Sequence, residues 1–333
     1  MKKESVLLTG ATGFLGYNIA RILTQRGFEV TASVRSKNDV AFLEELGCFI
    51  KCGSLNDLDF IEQIVDRHDY VIHCASMTEQ SNPDFEAYNM ANVLSTELLV
   101  QASKKFKIKR FILVSTANCF TSGTFGAPGN ESSGFMEFLK DSNYAYSKYR
   151  AHEFVLNEAR NGDFPALVVA PTFMTGPYDR KPSSGKLLLY VHKNRFVFYP
   201  SKGGKNFVDV VSAAEATINA LTKGKLGESY LLAGRNMSYK EYFSEVKKAS
   251  ALQRTKYFIP VPNVFIQGII GFLRLIPTKN NKMLAVNLKL FFAENYFAND
   301  KAVQDLDMPA TNVERSITDS IEWFKKVKYI NNN

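Results

Sequence analysis

Three tyrosines and one lysine in the segment SNYAYSKYRAHE, residues 142–153, have the side-chain types and spacing for proton-transfer chemistry. Side chains four positions apart share one face of a helix, so a helix through this segment brings Tyr144 and Lys148 together. Tyr146 points about 200° and Tyr149 about 100° around the helix from Lys148. Geometry therefore selects Tyr144 as the partner of Lys148, and the other two tyrosines as packing or substrate-facing residues.

A phenol beside an ammonium group can act as a general acid or base. The free phenol of tyrosine has a pKa of about 10 and exchanges protons poorly near neutrality. A nearby Lys148 ammonium stabilises the phenolate, so we expect it to lower the pKa of Tyr144. The sequence thus predicts Tyr144 as the group that exchanges a proton with substrate, with Lys148 supporting it.

A second hydroxyl for the same chemistry is offered by the segment VSTANCF, where an apolar run ends. Ser115 and Thr116 both stand at this strand end, and a shift of one residue would exchange their positions. Either hydroxyl could hydrogen-bond the oxygen atom that exchanges a proton with Tyr144. A polar strand terminus without a catalytic role is the alternative interpretation.

A glycine-rich loop follows the first apolar run, in the segment VLLTGATGFLG. Glycine lets the backbone turn sharply and approach a pyrophosphate, and the following helix presents free N–H groups and a positive dipole end to the anion. The strand–loop–helix context predicts dinucleotide binding, and a tight turn without a ligand is the alternative. The predicted contact residues of this loop are Gly10, Thr12, Gly13, Phe14, Leu15 and Gly16.

The elements that position these residues alternate between short apolar strands and amphipathic helices, which is typical of a parallel sheet covered on both faces. We expect strands at 5–9, 29–34, 48–52, 70–74, 110–115 and 165–170, and helices at 14–25, 91–104 and 144–160. The Asn161-Gly162 pair is predicted to end the last helix in a left-handed conformation. Beyond Pro171 the alternation becomes irregular, which indicates a separate lobe.

The loop spacing T-G-x-x-G-x-x-G resembles the extended short-chain dehydrogenase/reductase superfamily, the NAD-dependent epimerase/dehydratase family, most closely its dihydroflavonol reductase and 3β-hydroxysteroid dehydrogenase members. Tyr144 and Lys148 match its catalytic Y-x-x-x-K motif, and Thr116 takes its catalytic Ser/Thr position, with Ser115 as the fallback. The resemblance implies an α/β fold with a Rossmann-type doubly wound parallel sheet and a smaller, mostly C-terminal substrate lobe. It also implies a homodimer and nicotinamide chemistry, with hydride transfer accompanying proton transfer by Tyr144.

Domain bounds and further cofactor contacts follow from the same resemblance. Residues 1–170, with a returning segment near 205–222, would bind the dinucleotide, and 171–204 and 223–333 would form the substrate lobe. The loop APTFMTGPYD resembles the family's nicotinamide-contacting R-P-x-x-x-Y-G-P, although Ala170 replaces the arginine and Met174-Thr175 the pair ending in tyrosine. The remaining implied cofactor contacts are Ser54, Leu55, Cys74, Ala75, Ser76, Asn92, Pro171 and Thr172.

The end of the second predicted strand bears on the choice between NADP and NAD. NAD sites usually place a carboxylate there to accept hydrogen bonds from the ribose hydroxyls, but this chain reads Ser33-Val34-Arg35-Ser36-Lys37. Arg35 can hold a 2′-phosphate bidentately, and Lys37 adds positive charge. We therefore predict NADP, with NAD possible. The alternative is that both cations belong to a solvated loop.

The second lobe combines many bulky apolar residues with scattered cations, among them Lys193, Arg195, Lys202 and Lys205. A large apolar pocket suits a ketone or aldehyde of an apolar small molecule, or the corresponding alcohol. The leading interpretation is therefore an NADP-dependent carbonyl reductase. A nucleotide-sugar epimerase or dehydratase with bound NAD is the alternative, and a non-catalytic dinucleotide sensor is a third.

Bulk properties exclude some other classes of protein. The net charge of +8 is spread along the chain, and its densest run, residues 103–110, is expected at a helix end and strand start rather than at a nucleic acid. The cysteine and histidine spacings predict no metal. No signal peptide is recognised, which favours the cytoplasm. The apolar segment 264–276 is too short to span a bilayer, so a helix packed on a core is expected, with peripheral membrane contact as the alternative.

Overall fold

A seven-stranded parallel sheet forms the centre of the protein. The computed structural model describes residues 3–80, 82–250, 256–276 and 278–330. The strands are β1 (Ser5–Thr9), β2 (Glu29–Val34), β3 (Phe49–Cys52), β4 (Tyr70–His73), β5 (Arg110–Val114), β6 (Ala166–Pro171), β7 (Phe173–Thr175), β8 (Phe196–Pro200), β9 (Gly204–Asp209), β10 (Ser229–Leu232), β11 (Arg235–Ser238), β12 (Tyr257–Val261) and β13 (Glu294–Asn295). The order in the central sheet is β10-β6-β5-β4-β1-β2-β3.

Helices cover both faces of this sheet. They are α1 (Phe14–Gln25), α2 (Ala41–Glu44), α3 (Leu58–Val65), α4 (Phe85–Tyr88), α5 (Ser95–Lys105), α6 (Asn143–Asn161), α7 (Gly185–Lys193), α8 (Val210–Asn219), α9 (Tyr239–Ala249), α10 (Asn263–Leu275), α11 (Lys279–Phe292), α12 (Asp300–Leu306) and α13 (Val313–Lys326). A π-helical segment, Asn89–Leu94, leads directly into α5. The arrangement is the predicted Rossmann-type doubly wound sheet.

Strand β1 explains why the sheet is buried on both faces. Side chains alternate across a strand, so Leu8 packs with α1 and α8 on one face while Leu7 packs with α3, α5 and α6 on the other. All five residues of β1 are buried. Such strands read as continuous apolar runs, which is why their positions could be predicted closely.

The predicted element boundaries are confirmed to within a residue or two along the Rossmann half, except where the third helical region begins. The segment expected to start at Ala91 is π-helical before it becomes α-helical at Ser95. The prediction for the end of α6 is wrong in one detail. Gly162 has φ −126°, and the left-handed residue is Asp163, with φ 51°. The amide of Gly162 still caps α6 by donating to the Glu158 carbonyl.

A smaller lobe is built on β9, which pairs with β7, β11 and β13, and on the separate pair β8–β12. Its core contains aromatic side chains from β9 and α9, including Phe207, Tyr242 and Phe243. Strand β10 lies within the range 223–333 that was expected in the substrate lobe, but it pairs with β6 in the central sheet. Helix α8, from the predicted returning segment, packs on α1.

Helix α10 forms where the apolar segment 264–276 predicts it, but the expectation that it packs into a core is wrong for most of its surface. Only Ile266 and Ile270 of this helix are buried, and they pack against α11. Phe265 and Phe272 are exposed. A sequence shows that a segment is apolar, but the tertiary partners decide whether it is buried. Pro277, at the end of the same segment, lies outside the described residues.

The basic run 103–110 is located at the end of α5 and the start of β5, as predicted. Three of its four lysines pair with acidic neighbours: Lys104 with Glu158, Lys105 with Glu62, and Lys109 with Glu4 and Asp69. Among the described residues, each helix is too short or too polar to cross a bilayer.

Candidate active site

Helix α6 carries the tyrosine–lysine pair next to the carboxyl end of β5. Ser142 begins the helix, because its side chain accepts a hydrogen bond from the Ala145 amide. Lys148 is buried, and its Nζ donates to the Val114 carbonyl at 2.7 Å. Tyr144 lies one turn before it, partly exposed, with its phenol next to the Thr116 side chain. The structure therefore brings Tyr144, Lys148 and Thr116 together.

The pKa of Tyr144 is raised in the structure, whereas the sequence predicts that it is lowered. Partial burial raises the pKa of this phenol to about 12, and the neighbouring Thr116 hydroxyl offsets only part of that rise. The Lys148 ammonium is held by a backbone carbonyl instead of facing the phenol. Burial also lowers the pKa of Lys148 itself. Tyr144 is consequently protonated at neutral pH.

Ser115 and Thr116 have different surroundings although they are neighbours in the chain. The Ser115 side chain is buried and its Oγ lies 3.0 Å from His152 Nδ1 and 3.3 Å from Cys119 Sγ. Thr116 is partly exposed, and its Oγ1 accepts a hydrogen bond from the Asn118 amide at 3.3 Å. The Ser115 hydroxyl thus has its partners inside the protein, whereas the Thr116 side chain lies next to Tyr144.

His152 holds this arrangement from the inner side of α6. Its Nε2 lies 2.8 Å from Ser229 Oγ on β10, so one imidazole connects β5, α6 and β10. Burial, with a smaller contribution from the Lys148 charge, lowers the pKa of His152 to about 3. The ring is therefore neutral and structural at physiological pH. Sequence reasoning missed this role because Ser229 is 77 residues away.

The predicted tyrosine roles agree with the contacts. The Tyr146 ring lies 5.8 Å from that of Phe85, and Tyr149 stacks on Phe135 at 4.2 Å. Neither ring shares the face that Tyr144 presents to Thr116. Both tyrosines therefore contribute packing around α6.

His73, at the end of β4, is another neutral buried histidine. Thr96 Oγ1 donates to the Asn92 carbonyl, so its oxygen accepts from His73 Nε2 at 3.0 Å. His73 Nδ1 then accepts from Thr9 Oγ1 at 2.7 Å. Burial lowers the pKa of His73 to about 3. This bridge fixes β1 and β4 beside the glycine loop.

The glycine loop fits a dinucleotide pyrophosphate. Gly10 has φ +73°, and a Cβ there would lie 2.5 Å from the Ala75 amide. A Cβ on Gly16 would collide with the Gly10 carbonyl. Helix α1 begins after Gly13 with no side-chain cap and no acidic residue in its first turn, so its N–H groups are open to an anion.

The predicted contacts of this loop are not equivalent. Thr12 and Gly13 are exposed and Phe14 is half-buried, whereas Leu15 and Gly16 are buried. Leu15 packs its side chain into the core, so only its backbone could approach a ligand. The same core packing brings α1 close to β1.

The carboxyl end of β2 presents exposed cations. Arg35 and Lys37 both point into solvent, and neither takes part in an ion pair within the described part of the chain. The loop carboxylate Asp39 is paired with Arg180 at 3.2 Å. The guanidinium of Arg180 also stacks 3.7 Å over the Phe42 ring. Sequence reasoning missed Arg180, whose contacts come from a distant segment.

The turn after β3 and the loop after β4 flank this edge of the sheet. Ser54 is exposed and Leu55 half-buried, and the amide of the preceding Gly53 donates to the Val34 carbonyl. After β4, the Ala75 amide donates to Thr9 Oγ1 at 3.1 Å. Burial raises the pKa of the Cys74 thiol to about 11, which keeps it protonated.

Asn92 organises the loop after β4. Its Oδ1 accepts from the Met77 amide at 2.7 Å and from Ser76 Oγ at 3.0 Å. Its Nδ2 donates to Ser147 Oγ on α6 at 2.9 Å. Asn92 lies in the π-helical segment, where the extra residue per turn aims its amide at both partners. It therefore holds the cofactor-side loop against the helix that carries Tyr144.

The end of β6 connects the two lobes. Pro171 is buried, and Thr172 Oγ1 donates to Asn206 Oδ1 at 2.7 Å. Asn206 Nδ2 in turn donates to the Phe297 carbonyl. Nearby on β9, the Lys205 ammonium lies 5.6 Å above the Phe173 ring, and burial lowers its pKa to about 8.

The C-terminal lobe contributes helix α11 to the mouth of the site. A narrow cleft beside Tyr144 is lined by Met283 and Asn287 of α11 together with polar residues such as Gln80 and Asn143. Val286 packs in the same place against Leu139 and Ala145. Across the described ranges, no group of three or more histidine, cysteine, aspartate or glutamate side chains is arranged to hold a metal ion.

A glycine loop at an uncapped helix start, a doubly wound sheet and a Tyr–Lys pair on one helix are typical of a nicotinamide dinucleotide oxidoreductase of the short-chain dehydrogenase/reductase type. The model of the NAD dependent epimerase/dehydratase family matches residues 6–233, and the chain belongs to that family. The predicted superfamily, fold class and enzyme class are thereby confirmed.

Named relatives cover nearly the whole chain. A putative dihydroflavonol 4-reductase from Synechocystis is 26% identical, over 98% of this chain and 96% of the relative. Sterol demethylase protein B from Methylococcus capsulatus is 25% identical, over 97% of this chain and 98% of the relative. The crystal structure of gox2253 superposes with a TM-score of 0.87 at 26% identity, over 99% of this chain and 100% of that one.

Proposed function

We propose that this protein is an NADP-dependent reductase that converts a ketone or aldehyde of an apolar small molecule into the alcohol. The single observation that carries the proposal is the arrangement at the end of β5. There the partly exposed Tyr144 phenol lies next to the Thr116 side chain, and Lys148 lies one turn further along the same face of α6. Two hydroxyls side by side can both hydrogen-bond one carbonyl oxygen.

Tyr144 acts as the proton donor in this proposal. Its raised pKa keeps the phenol protonated at neutral pH, as a donor in carbonyl reduction has to be. Thr116 hydrogen-bonds the same oxygen and stabilises the negative charge that develops on it. When bound, the dinucleotide supplies the hydride. Lys148 contributes positive charge from its buried position and is available to hold the nicotinamide ribose.

The preference for NADP rests on charge at the end of β2. The strand ends in Val34 and is followed by Arg35, with no carboxylate to accept from a ribose 2′-hydroxyl. Arg35 is exposed and without an ion-pair partner among the described residues, so its guanidinium is free to bind a 2′-phosphate. The glycine-loop residues Gly10, Gly13 and Gly16 would hold the pyrophosphate.

The apolar character of the substrate is inferred from Met283 of α11 and from the apolar contact of Val286 with Leu139 nearby. The rest of the narrow cleft beside Tyr144 is lined by polar residues such as Gln80, Asn143 and Asn287. Methionine adapts its shape to irregular apolar ligands. The name of one relative refers to sterols, which are large apolar molecules, and this supports the same class of substrate.

The test is a panel of apolar ketones and aldehydes offered with NADPH and with NADH. We expect NADPH-dependent formation of alcohol from at least one compound, faster than with NADH. Product must be identified by mass, so that cofactor oxidation alone is not counted. Turnover of nucleotide sugars without net cofactor oxidation, and none of any carbonyl compound, would overturn the proposal.

A nucleotide-sugar epimerase or dehydratase is the second candidate, and Lys205 is the observation that favours it. This cation is half-buried and so partly desolvated, which lowers its pKa to about 8, and it lies over an aromatic ring without an ion-pair partner among the described residues. An anionic substrate group would compensate for that desolvation. If this candidate holds, Lys205→Met should abolish nucleotide-sugar turnover while leaving dinucleotide affinity unchanged.

A further inference from the structure

Helix α10 exposes an apolar surface that no described part of the chain covers. Together with α11 it forms a hairpin, residues 263–292 without the undescribed Pro277, whose inner contact uses Ile266, Ile270 and Ala285. The exposed apolar side chains of α10 are Val264 (72% exposed), Phe265 (66%), Ile269 (47%), Phe272 (63%) and Leu275 (79%). Single exposed apolar residues are ordinary, but a contiguous group on one helix marks an interaction site.

These five side chains form one stripe. At 100° per residue they fall within an arc of about 140° on the helix surface. The buried residues Ile266 and Ile270 lie next to that arc, and the polar residues Gln267 and Arg274 lie on the remaining side. The helix therefore has an apolar face wider than its contact with α11 requires, and the excess points outward.

The charge of the hairpin has one sign. Residues 263–292 contain four lysines and arginines and no aspartate or glutamate. These four, Arg274, Lys279, Lys282 and Lys289, are exposed. None of them forms an ion pair within the described ranges, whereas Lys104, Lys105 and Lys109 of the run 103–110 do. Lys289 lies 4.0 Å over the Phe138 ring, which leaves Arg274, Lys279 and Lys282 available to anions outside the protein.

We propose that the α10–α11 hairpin docks on an anionic lipid bilayer. An amphipathic helix with aromatic and aliphatic residues on one face and flanking cations lies in the plane of a bilayer interface, with its apolar face about 5–10 Å below the headgroups. Phe265 and Phe272 enter the acyl boundary, and Arg274, Lys279 and Lys282 contact lipid phosphates. A protein partner of ordinary composition would have to match both the stripe and the unbalanced positive charge.

The hairpin also lines the cleft beside Tyr144, through Met283 and Asn287 of α11. Docking would therefore place the mouth of that cleft next to the bilayer, where apolar molecules are concentrated. This consequence rests on the proposed function, but the docking itself does not. The test below accordingly uses neither substrate nor cofactor.

Sedimentation of the full-length protein with lipid vesicles tests the proposal. Vesicles of phosphatidylcholine alone are compared with vesicles containing roughly a third phosphatidylglycerol. We expect binding to the anionic vesicles, at least about tenfold weaker binding to the neutral ones, and release by salt. Absence of binding to the anionic vesicles, or equal binding to both, would overturn the proposal.

Two variants separate the apolar and the ionic contributions. Phe265→Ser/Phe272→Ser should weaken vesicle binding at least about tenfold, because two exposed aromatic rings no longer enter the bilayer. Arg274→Ser/Lys279→Ser/Lys282→Ser should weaken it about a hundredfold on anionic vesicles and little on neutral ones. All five side chains are exposed, so folding should be retained.

The matched control is Phe49→Ser/Phe125→Ser, which removes two exposed phenylalanines from other parts of the surface. It should bind vesicles like the wild type. Equal binding by Phe265→Ser/Phe272→Ser and this control would contradict the proposed docking face.

Light scattering of the same samples tests whether a second copy of the chain covers the stripe instead. A dimer that Phe265→Ser/Phe272→Ser converts to monomer would show that another subunit covers it, and would also overturn the proposal.

Discussion

Polar side chains are mostly buried at the junction of β5 with α6, whereas they are exposed in the loop after β2. At the junction, Lys148 and His152 are buried and hydrogen-bonded to fixed protein groups. In the loop, Arg35 and Lys37 are exposed and take part in no ion pair among the described residues. The buried groups hold a geometry, whereas the exposed cations are free to bind an anion from outside.

The difference supports the proposal that Tyr144 and Thr116 perform the chemistry. Of the polar groups at the junction, these two remain partly exposed and lie next to each other. Ser115 and His152 are supports whose replacement should affect stability and geometry. The cations of the β2 loop should affect ligand affinity and nothing else. Variants in the two regions should therefore give distinct signatures.

The largest effect is expected for Tyr144→Phe, which removes the proton donor and leaves the ring. Carbonyl reduction should slow by about 10²–10⁴-fold, while the Kd for NADPH stays within about twofold of the wild type. Stopped-flow kinetics and fluorescence titration measure the two quantities. Tyr146→Phe is the control and should retain normal activity. Near-normal turnover of Tyr144→Phe would remove this tyrosine from the chemistry.

Variants of the two neighbouring hydroxyl residues, Thr116 and Ser115, separate a chemical role from a structural role within the junction. Thr116→Val should lower kcat by about 10²-fold at unchanged stability, because it removes a donor to the carbonyl oxygen. Ser115→Ala should instead leave kcat largely intact and destabilise the fold by about 1–3 kcal/mol, since His152 loses a buried partner. Steady-state kinetics and urea unfolding distinguish them. The reverse pattern would assign the catalytic position to Ser115.

Arg35→Ala tests the other region. It should raise the Kd for NADPH by about 10- to 100-fold, the loss expected for a charge-assisted bidentate contact, and leave the Kd for NADH unchanged. Fluorescence titration with both cofactors measures the ratio. Arg315→Ala removes an exposed arginine from α13 and should alter neither value. Equal weakening of NADPH and NADH by Arg35→Ala would show that Arg35 does not contact a 2′-phosphate.

A separate effect, on folding and not on activity or cofactor affinity, concerns acid stability. The pKa values of His73 and His152 are lowered from 6.5 to about 3, so both stay neutral in the folded protein while they protonate in the unfolded chain. Their stabilisation is complete above about pH 6.5 and declines as pH falls, by roughly 2 kcal/mol for each histidine between pH 6.5 and 5. Urea unfolding at the two pH values measures it. His68, whose pKa is also lowered by burial, adds to the same decline. His152→Gln should remove its own share of the decline, and an unchanged decline would contradict the assignment.

Much of the catalytic centre could be predicted because its signals are local. The strands at Ser5–Thr9 and Glu29–Val34 are short apolar runs, and the pairing of Tyr144 with Lys148 follows from helical spacing. The choice between Ser115 and Thr116 could not be made from the residues alone. It depends on His152, whose other partner Ser229 comes from a strand far along the chain.

Long-range packing also explains the other differences between the sequence predictions and the structure. The pKa of Tyr144 was expected to fall because Lys148 is near in sequence, but Val114 holds the ammonium and burial dominates. Helix α10 is as apolar as a core helix, yet only its contact with α11 buries part of it. Sequence patterns predict which segments form elements, and the partners of those elements depend on the whole fold.

The most direct test of NADPH-dependent reduction is the identity and exchange of the dinucleotide. The purified protein is denatured, any released dinucleotide is identified, and cofactor-free protein is titrated with NADPH and NADH. We expect exchangeable cofactor and a Kd for NADPH at least about tenfold below that for NADH. NAD that survives purification in tight association, with no preference for NADPH, would contradict the reductase and support epimerase or dehydratase chemistry.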